Sequence, residues 1–362
     1  AASLSAPHFQ TMQTVRGAAA AEFWCLREPR RNGSDTVEDG AGTEWELARW
    51  QATLPAALDG ADTFFDMDRM PPEACWELTL PGIATIKQYA HDVLDRVLRK
   101  LATLGTDDDA ALEPFRWAVF HEDLRAEHLH GLLQVLGLQP AGQPPLAAVA
   151  VPAAQTLSLP GGRFQMGWPD ADGFFFDNEC PPYRTYVPAF EIDAQPVTNG
   201  QYLEFIEDRG YDHPQWWSPA GMEWLMMQER SAPLGWQRDP TTRSWQALRY
   251  GQARTINRDE PVRHVSLYEA QAWCRWAGRR LPTEDEWEMA AVQGRAGFHW
   301  GQVWEWTSSP FEPYPDFVPG VPRGRVAGLS APHFMTMQTV RGAAAHTPQR
   351  AHHPRFRGFL LP

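Results

Sequence analysis

The sequence predicts an α+β protein in which a helical N-terminal domain precedes a domain of short strands, turns and few helices. Up to about residue 138, apolar residues recur at every third or fourth position, as they do on one face of a helix. A run rich in proline and glycine at 139–145 then indicates a boundary. Beyond it helical patterns are sparse, and 13 of the 17 tryptophans lie after residue 100. This composition predicts an irregular second domain whose loops are held by aromatic side chains.

Three segments of the N-terminal domain have helical periodicity: 44–54, 87–101 and 115–138. In the second of them, Tyr89, Val93 and Val97 follow one another at four-residue spacing, which places them on one face of an amphipathic helix. Helices of this kind bury their apolar faces against one another. The three segments together therefore predict a helical bundle.

Two helices are predicted in the second domain, at Ser266–Ala277 and Thr283–Val292. Ser266 precedes Glu269 at the spacing of a capping box, in which the two side chains satisfy backbone N–H groups at the start of a helix. Thr283 precedes Glu286 in the same way. The remainder of this domain is expected to consist of short strands, turns and aromatic-rich loops.

The first residues of the chain are duplicated near its end. Leu4–Ala20 repeats Leu329–Ala345 with a single difference, Gln10 against Met335. An old structural repeat would have diverged further, so we interpret one copy as a recent duplication, an engineered addition or an error in the sequence. We assign the chain to four parts: a duplicated segment at 1–20, the helical bundle at 21–140, a linker at 141–155 and the second domain at 156–362.

Charge and composition argue against several classes of function. With 32 Lys and Arg against 45 Asp and Glu, the formal net charge is −13, which disfavours nucleic-acid binding because phosphate neutralisation needs a basic surface. No run approaches the roughly 18 apolar residues of a membrane span, and no basic and then apolar leader is found. The four cysteines form no CxxC pair. The sequence therefore predicts a cytoplasmic protein without zinc knuckles or a disulfide scaffold.

Six short motifs of the second domain occur in the order found in one known family. They are Gly161-Gly-Arg-Phe-Gln-Met-Gly167, Pro196-Val-Thr-Asn-Gly200, Pro261-Val-Arg-His-Val-Ser266, Arg280-Leu-Pro-Thr-Glu-Asp-Glu-Trp-Glu288, Gly301-Gln-Val-Trp-Glu-Trp-Thr307 and Val340-Arg-Gly342. On these motifs, residues 157–362 resemble the formylglycine-generating-enzyme-like domain, a C-type-lectin-like fold with little regular secondary structure. Turn glycines, alternating apolar residues and tryptophans in these motifs predict that most of the motif residues build the scaffold. Formylglycine-generating enzymes carry a reactive cysteine pair near the C-terminus, but no cysteine follows Cys274 here, so that activity is not expected.

Two fragments of the helical domain extend this resemblance, namely Phe23-Trp24 and His121-Glu122-Asp123. A helical domain with these residues in front of this fold is similar to the hercynine oxygenases (sulfoxide synthases) of the ergothioneine pathway and to the related selenoneine synthases. In those proteins a DinB-like four-helix bundle precedes the same C-terminal domain. The resemblance implies an Fe(II)- and O2-dependent enzyme that bonds sulfur or selenium to the imidazole of hercynine, the trimethylated betaine of histidine. Its partners would be hercynine, a thiol or selenol donor and O2.

The family carries two of its three iron histidines on one helix, in the pattern His-x-x-x-His-x-Glu. His121 and Glu127 match the first histidine and the glutamate, and the resemblance makes them an iron ligand and a residue that orients the ligand. Arg125 stands at the second histidine, and a guanidinium has no lone pair to offer a metal. The third histidine aligns with Arg16, inside the duplicated segment. Leu124 occupies the position where some relatives place a glutamine against the substrate imidazole.

The resemblance also implies substrate-binding and catalytic positions outside the helix. Gly358 and Phe359 align with an asparagine and a tryptophan that cradle the trimethylammonium group, and an aromatic face attracts such a cation. Tyr314 lies in a loop near the active site of relatives, where it would donate a proton or an electron. Arg69 aligns with basic residues that bind the donor's carboxylates. The pair His352–His353 is interpreted as solvent-exposed, because neighbours on a strand point to opposite faces.

Two functions remain open at this point. The first is an oxygenase that forms a C–S or C–Se bond on hercynine. The second is a metal-free protein that binds a small betaine and has lost the iron site, as Arg125 and Leu124 suggest. The sequence does not distinguish a sulfur donor from a selenium donor.

Overall fold

The computed structural model describes residues 82–104, 109–140, 155–169, 175–294, 297–318 and 330–362. The chain divides into two compact units. The first contains residues 1–132, 171–177 and 317–328, and the second contains residues 133–170, 178–316 and 329–362. The duplicated segment at 1–20, the predicted helix at 44–54 and Arg69 lie outside the described residues.

The described part of the first unit is helical. Helix α1 covers Ile83–Leu101, and helix α2 covers Asp109–Leu136, with its last turn in the second unit. Both predicted helices are confirmed, and both begin earlier than their apolar pattern does. Tyr89 is buried as expected, although Leu94 is half exposed. The DinB-like four-helix bundle needs helices outside the described ranges and stays a prediction. In the described part of the chain, no helix has the length and apolar character of a membrane span.

The described residues of the second unit form four small antiparallel sheets of short strands. Two sheets are pairs: β1 (Thr156–Leu159) with β4 (Phe190–Asp193), and β2 (Gly162–Met166) with β3 (Tyr183–Val187). The third sheet contains β5 (Trp236–Arg238), β6 (Trp245–Arg249) and β7 (Gln252–Thr255) in that order. The fourth places β9 (Gln338–Gly342) between β8 (Trp304–Pro310) and β10 (Arg357–Leu360). The predicted α+β class with little regular structure is confirmed for this unit.

Four helices accompany these sheets: α3 (Asn199–Glu207), α4 (Pro219–Gln228), α5 (Leu267–Trp276) and α6 (Glu284–Gln293). Helices α5 and α6 were predicted, and each begins with the expected capping box, at Ser266 and Thr283. Helices α3 and α4 were not predicted. Helix α3 nevertheless starts with a capping box between Thr198 and Gln201, and the Ser218 side chain caps α4.

Aromatic side chains fill two cores in the second unit. One core surrounds Trp287 of α6, which is fully buried, and includes Met166 of β2. The other contains Phe205 and Trp273, and in it the Tyr211 hydroxyl donates to the buried Glu269 at 2.6 Å. The expectation that aromatic residues hold this irregular fold together is confirmed.

A buried ion-pair network joins α6 to the fourth sheet. Arg341 of β9 is fully buried, and it donates hydrogen bonds to Glu284 at 3.0 Å and to Glu288. Glu284 also accepts from Nε and Nη2 of Arg357 at 2.6 and 3.0 Å, and Glu288 accepts from Arg355 at 2.8 Å. Three guanidinium groups and two carboxylates thus hold β9 and the chain around β10 against α6.

The network is stable only while it is complete. Burial alone would raise the pKa of Glu284, but the positive charges of Arg357 and Arg341 outweigh burial and lower that pKa. Glu284 and the two arginines have lost their hydration in the core, so each of these charges is compensated only by its ion-pair partners. Removing one partner of a buried pair leaves an uncompensated charge, which is more damaging than the loss of an exposed pair.

The histidine pair near the C-terminus is packed rather than solvent-exposed, so that expectation was wrong. The segment is not a strand, because His352 directly follows a short 3-10 helix at Gln349–Ala351. The His353 ring lies on Trp168 with 4.0 Å between ring centroids, and its Nδ1 accepts from the Arg355 backbone N–H at 3.1 Å. Burial, followed by the charges of Arg355 and Arg341, lowers the pKa of His353 to about 4.

Arg341→Met should lower the free energy of unfolding by about 3–5 kcal/mol, because Glu284 and Glu288 each lose a buried ion-pair partner while they stay buried. Arg209→Gln is the matched control, since Arg209 forms an exposed pair with Asp212, and its effect should stay below about 0.5 kcal/mol. Urea unfolding followed by tryptophan fluorescence measures both. Equal effects of the two substitutions would show that the buried network does not stabilise the fold.

His353→Gln should make the free energy of unfolding fall less steeply as the pH is lowered. The histidine is neutral in the folded protein down to about pH 4, whereas an unfolded histidine binds a proton below about pH 6.5. Its contribution to stability is therefore present above about pH 6.5 and is lost as the pH falls towards 4, by up to roughly 1.4 kcal/mol per pH unit. Unfolding free energies between these pH values test this, with the exposed His91→Gln as control. A parent-like slope in His353→Gln contradicts the assignment.

Candidate functional site

The predicted metal-binding positions lie on α2. His121 and Arg125 are one helical turn apart, and Glu127 follows half a turn later. The side chains of Leu124 and Glu127 are half-buried. Asp123, which directly precedes Leu124 in the sequence, is buried. The expected pattern is therefore carried on one continuous helix, as the sequence predicts.

The described residues do not complete the iron site that the resemblance implies. Among the described side chains, which do not include those of His121 and Arg125, no three His, Cys, Asp or Glu are grouped so that they could hold a metal ion. Arg125 replaces the histidine one turn after His121, and an arginine cannot ligate iron. Arg16, the counterpart of the third ligand, lies outside the described ranges.

In the second unit, Phe359 of β10 belongs to a stack of rings. Its ring centroid lies 4.4 Å from that of Phe311 and 5.0 Å from that of His333, and both contacts are stacked. Phe311 is fully buried and also contacts Phe334 at 4.8 Å, whereas Phe359 remains half-buried. Phe359 is therefore partly exposed at the margin of this core, and its ring is already stacked on two neighbours.

Gly358 faces the opposite side of the sheet. It pairs with Val340 of β9, and a Cβ atom at this position would lie 2.9 Å from Val340 Cγ2 and 3.1 Å from the Trp304 ring. The close approach of these side chains explains why glycine occupies the position. Neighbouring strand residues point to opposite faces, so the structure does not bring the Gly358 and Phe359 side-chain positions into one pocket.

Tyr314 is buried in the core around Trp287, with 4% of its surface exposed. The Arg357 guanidinium lies 4.0 Å from its ring centroid, and the Tyr183 ring meets it edge-on at 4.9 Å. Its hydroxyl has no hydrogen-bond partner among the residues that the structure describes. Burial raises the pKa of Tyr314 well above its ordinary value, so the phenol keeps its proton at neutral pH.

Arg357 contacts the ring of Tyr314 and the ring of Phe311, on which Phe359 is stacked. It lies on the same face of β10 as Phe359, over the Phe311 ring at 5.0 Å and the Tyr314 ring at 4.0 Å. Its guanidinium is fixed by the ion pair with Glu284. Neither Arg357 nor Phe311 was predicted from the sequence. The position of Arg357 between Phe356 and Phe359 is nevertheless a signal, because a charged residue in an apolar strand-like segment indicates a buried partner of opposite charge.

Comparisons with known proteins identify the C-terminal domain of this chain. Residues 142–302 match the sulfatase-modifying factor enzyme 1-like domain. The formylglycine-generating enzyme of Streptomyces coelicolor is 34% identical over 178 residues, which cover 44% of this chain and 57% of that protein. The match confirms the expected C-terminal domain.

Hercynine oxygenases match a longer part of the chain. That of Mycolicibacterium smegmatis is 36% identical over 293 residues, which cover 65% of this chain and 63% of that protein. That of Mycobacterium tuberculosis is 34% identical over 351 residues, which cover 83% of this chain and 76% of that protein. The chain thus spans just under two thirds of the first relative and about three quarters of the second. This chain belongs to the hercynine oxygenase family.

Proposed function

We propose that the chain is an oxygenase that forms a C–S or C–Se bond on the imidazole ring of hercynine. The carrying observation is the identity with hercynine oxygenases over 83% of the chain, which includes the helix with His121 as well as the C-terminal domain. The relatives' name describes an enzyme, which favours this function over a metal-free betaine-binding protein. In the reaction, an imidazole C–H and the S–H or Se–H of the donor would be lost, and O2 would accept the electrons.

Phe359 is the proposed contact for the trimethylammonium group of hercynine. The group carries a permanent positive charge and a large apolar surface, which suits an aromatic ring that is half-buried. Phe311 supports this ring from within the core. Gly358 faces away, so its part in the substrate site would be limited to leaving space for Trp304 on the other side of the sheet.

Tyr314 is the proposed proton or electron donor, and Arg357 is the residue that positions it. The protonated phenol and its unpartnered oxygen support this role, because a donor has to hold its proton until the reaction needs it. Glu284 fixes Arg357, which in turn lies on the tyrosine ring. Arg69 is proposed to bind carboxylates of the thiol or selenol donor.

Fe(II) is the proposed cofactor, with His121 as one ligand and Glu127 as the residue that orients it. The family relationship supports a metal-dependent oxygenase. Arg125 makes this chain different from the family pattern, so at least one of the remaining ligands would come from another position than in the relatives. Leu124 would face the substrate with an apolar side chain where relatives offer an amide.

The function is tested with purified, Fe(II)-loaded protein, hercynine and a series of thiol and selenol donors. O2 uptake is expected with one donor class, together with a product whose mass is that of hercynine plus donor less two hydrogens, or that mass plus one oxygen for a sulfoxide. Mass spectrometry identifies the donor class. Tyr314→Phe should lower the turnover at unchanged hercynine affinity. Neither O2 uptake nor product with any donor would refute the proposed activity.

Phe359→Leu should weaken hercynine binding by roughly 2- to 30-fold, the range expected from the loss of one cation–π contact. Leucine keeps an apolar side chain of similar volume, so the fold should be retained. Calorimetric titration under argon measures the affinity, and histidine, which lacks the methyl groups, is the control ligand.

Phe334→Leu is the matched control variant, because it removes a ring that contacts Phe311 but is not assigned to the cation. Hercynine affinity should be unchanged in this variant. If Phe359→Leu binds hercynine as the parent does, Phe359 is not part of the betaine site.

A further inference from the structure

A titratable residue, His333, is in direct contact with the ring that we assign to the trimethylammonium group. His333 ends a short 3-10 helix at Ala331–His333, in the same unit as Phe359. The imidazole ring lies on the Phe359 ring with 5.0 Å between the centroids and 29° between the planes. Both side chains are half-buried. A charge on His333 therefore acts at the surface where the cation of hercynine is proposed to bind.

The two faces of the Phe359 ring have different surroundings. Phe311 stacks on this ring with 4.4 Å between the centroids, and Phe311 is fully buried. One face of a phenyl ring has room for a single stacked ring, so Phe311 and His333 lie on opposite faces. The face that a ligand can approach from solvent is therefore the one that carries His333.

His333 covers only part of that face. Stacked ring planes in contact are about 3.5 Å apart. A centroid separation of 5.0 Å thus means that the two rings are displaced sideways by about 3.5 Å. The uncovered part of the Phe359 face remains open to a cation. A cation within about 6 Å of the Phe359 centroid on this side lies next to the imidazole ring.

The turn after His333 is tied to the same aromatic core. The Thr336 hydroxyl donates to the His333 carbonyl at 3.0 Å. The Met335 backbone N–H donates to the Phe311 carbonyl at 2.9 Å, and Met335 has a φ angle of 64°, in the left-handed region. Phe311 therefore supports both Phe359 and the turn that carries His333, which keeps the two rings side by side.

No counter-ion is available to a proton on His333 in the described part of the chain. Burial lowers the pKa of His333, and no described residue forms a hydrogen bond or ion pair with its imidazole. Its own helix and the following turn carry no other titratable side chain. On β10, Arg357 lies over the Phe311 ring and is paired with Glu284, and Glu312 after Phe311 is exposed to solvent. The imidazole is therefore neutral at neutral pH and becomes an uncompensated cation in acid.

We propose that His333 is a second ring of the trimethylammonium site and that hercynine binds there only while the imidazole is neutral. A neutral imidazole offers the methyl groups an apolar contact beside Phe359, whereas an imidazolium places a like charge next to a permanent cation. The inference rests on the proposed function for the choice of ligand. It adds a residue that determines specificity and makes hercynine binding depend on pH.

His333→Lys is the direct test, because it places a positive charge at this position at every pH of interest. Hercynine affinity is measured at about pH 8 by calorimetric titration under argon, with the full chain. Lysine should weaken binding about fourfold or more, which corresponds to the repulsion of two unit charges about 5 Å apart in water. The loss should become smaller at high ionic strength, because salt screens the repulsion.

His333→Met is the matched control for the lost ring. Methionine has an unbranched apolar side chain without charge, so this variant should lose clearly less affinity than His333→Lys, and its affinity should not depend on salt in the same way. An equal loss in both variants would assign the effect to packing rather than to charge and would overturn the inference. Parent-like affinity of His333→Lys would overturn it as well.

His333→Phe tests the dependence on pH. Phenylalanine keeps a ring that can stack on Phe359, and it cannot be protonated. Between about pH 8 and about pH 5, hercynine affinity should fall more in the parent than in His333→Phe, since the imidazole of hercynine itself titrates in the same way with both proteins. The same pH dependence in both proteins would contradict the proposed role of His333.

The outcomes separate this inference from the proposed function. If His333→Lys weakens hercynine binding but no product forms in the activity assay, the inference is retained and the proposed activity fails. If Phe359→Leu weakens binding and His333→Lys does not, the proposed contact at Phe359 is retained and the inference fails. A parent protein that does not bind hercynine overturns both.

Discussion

The arrangement of the C-terminal unit depends on one fully buried arginine. Arg341 lies between Glu284 and Glu288, and these two glutamates in turn hold Arg357 and Arg355. Charged groups without hydration remain in the core only when each has a partner at hydrogen-bond distance. Because the two glutamates are one turn apart on α6, their spacing sets where β9 and the segment leading to β10 can lie. The ring stack with Phe359 and the packing of Arg357 on Tyr314 follow from that placement.

Local signals account for the parts of the fold that the sequence predicts. Helices α5 and α6 were identified because their capping boxes, at Ser266 and Thr283, lie within one turn of the helix start. Helix α3 has the same device at Thr198, but its nine residues are too short for a recognisable apolar period. The histidine pair was misplaced because strand geometry was assumed for a segment that follows a 3-10 turn.

Long-range pairing accounts for what the sequence does not predict. Phe359 and Tyr314 were named from a family resemblance, but Arg357, which contacts Tyr314, was not. Its partner Glu284 is 73 residues away in the chain, and no local pattern reports such a pair. The left-handed backbone at His264 cannot be predicted from the sequence either, because the surroundings of a histidine hold it at a positive φ. The role of a charged residue inside an apolar segment, such as Arg357, is therefore recognised only in the structure.

Family membership favours a bound metal, whereas the sequence of α2 lacks one of the expected metal ligands. The relatives are oxygenases by name, whereas Arg125 stands where the family pattern has a histidine. Anaerobic titration of the metal-free protein with Fe(II), followed by metal analysis after desalting, tests the oxygenase claim most directly. The account predicts stoichiometric iron that is lost in His121→Ala. No bound iron, or iron that is unchanged in His121→Ala, would contradict it.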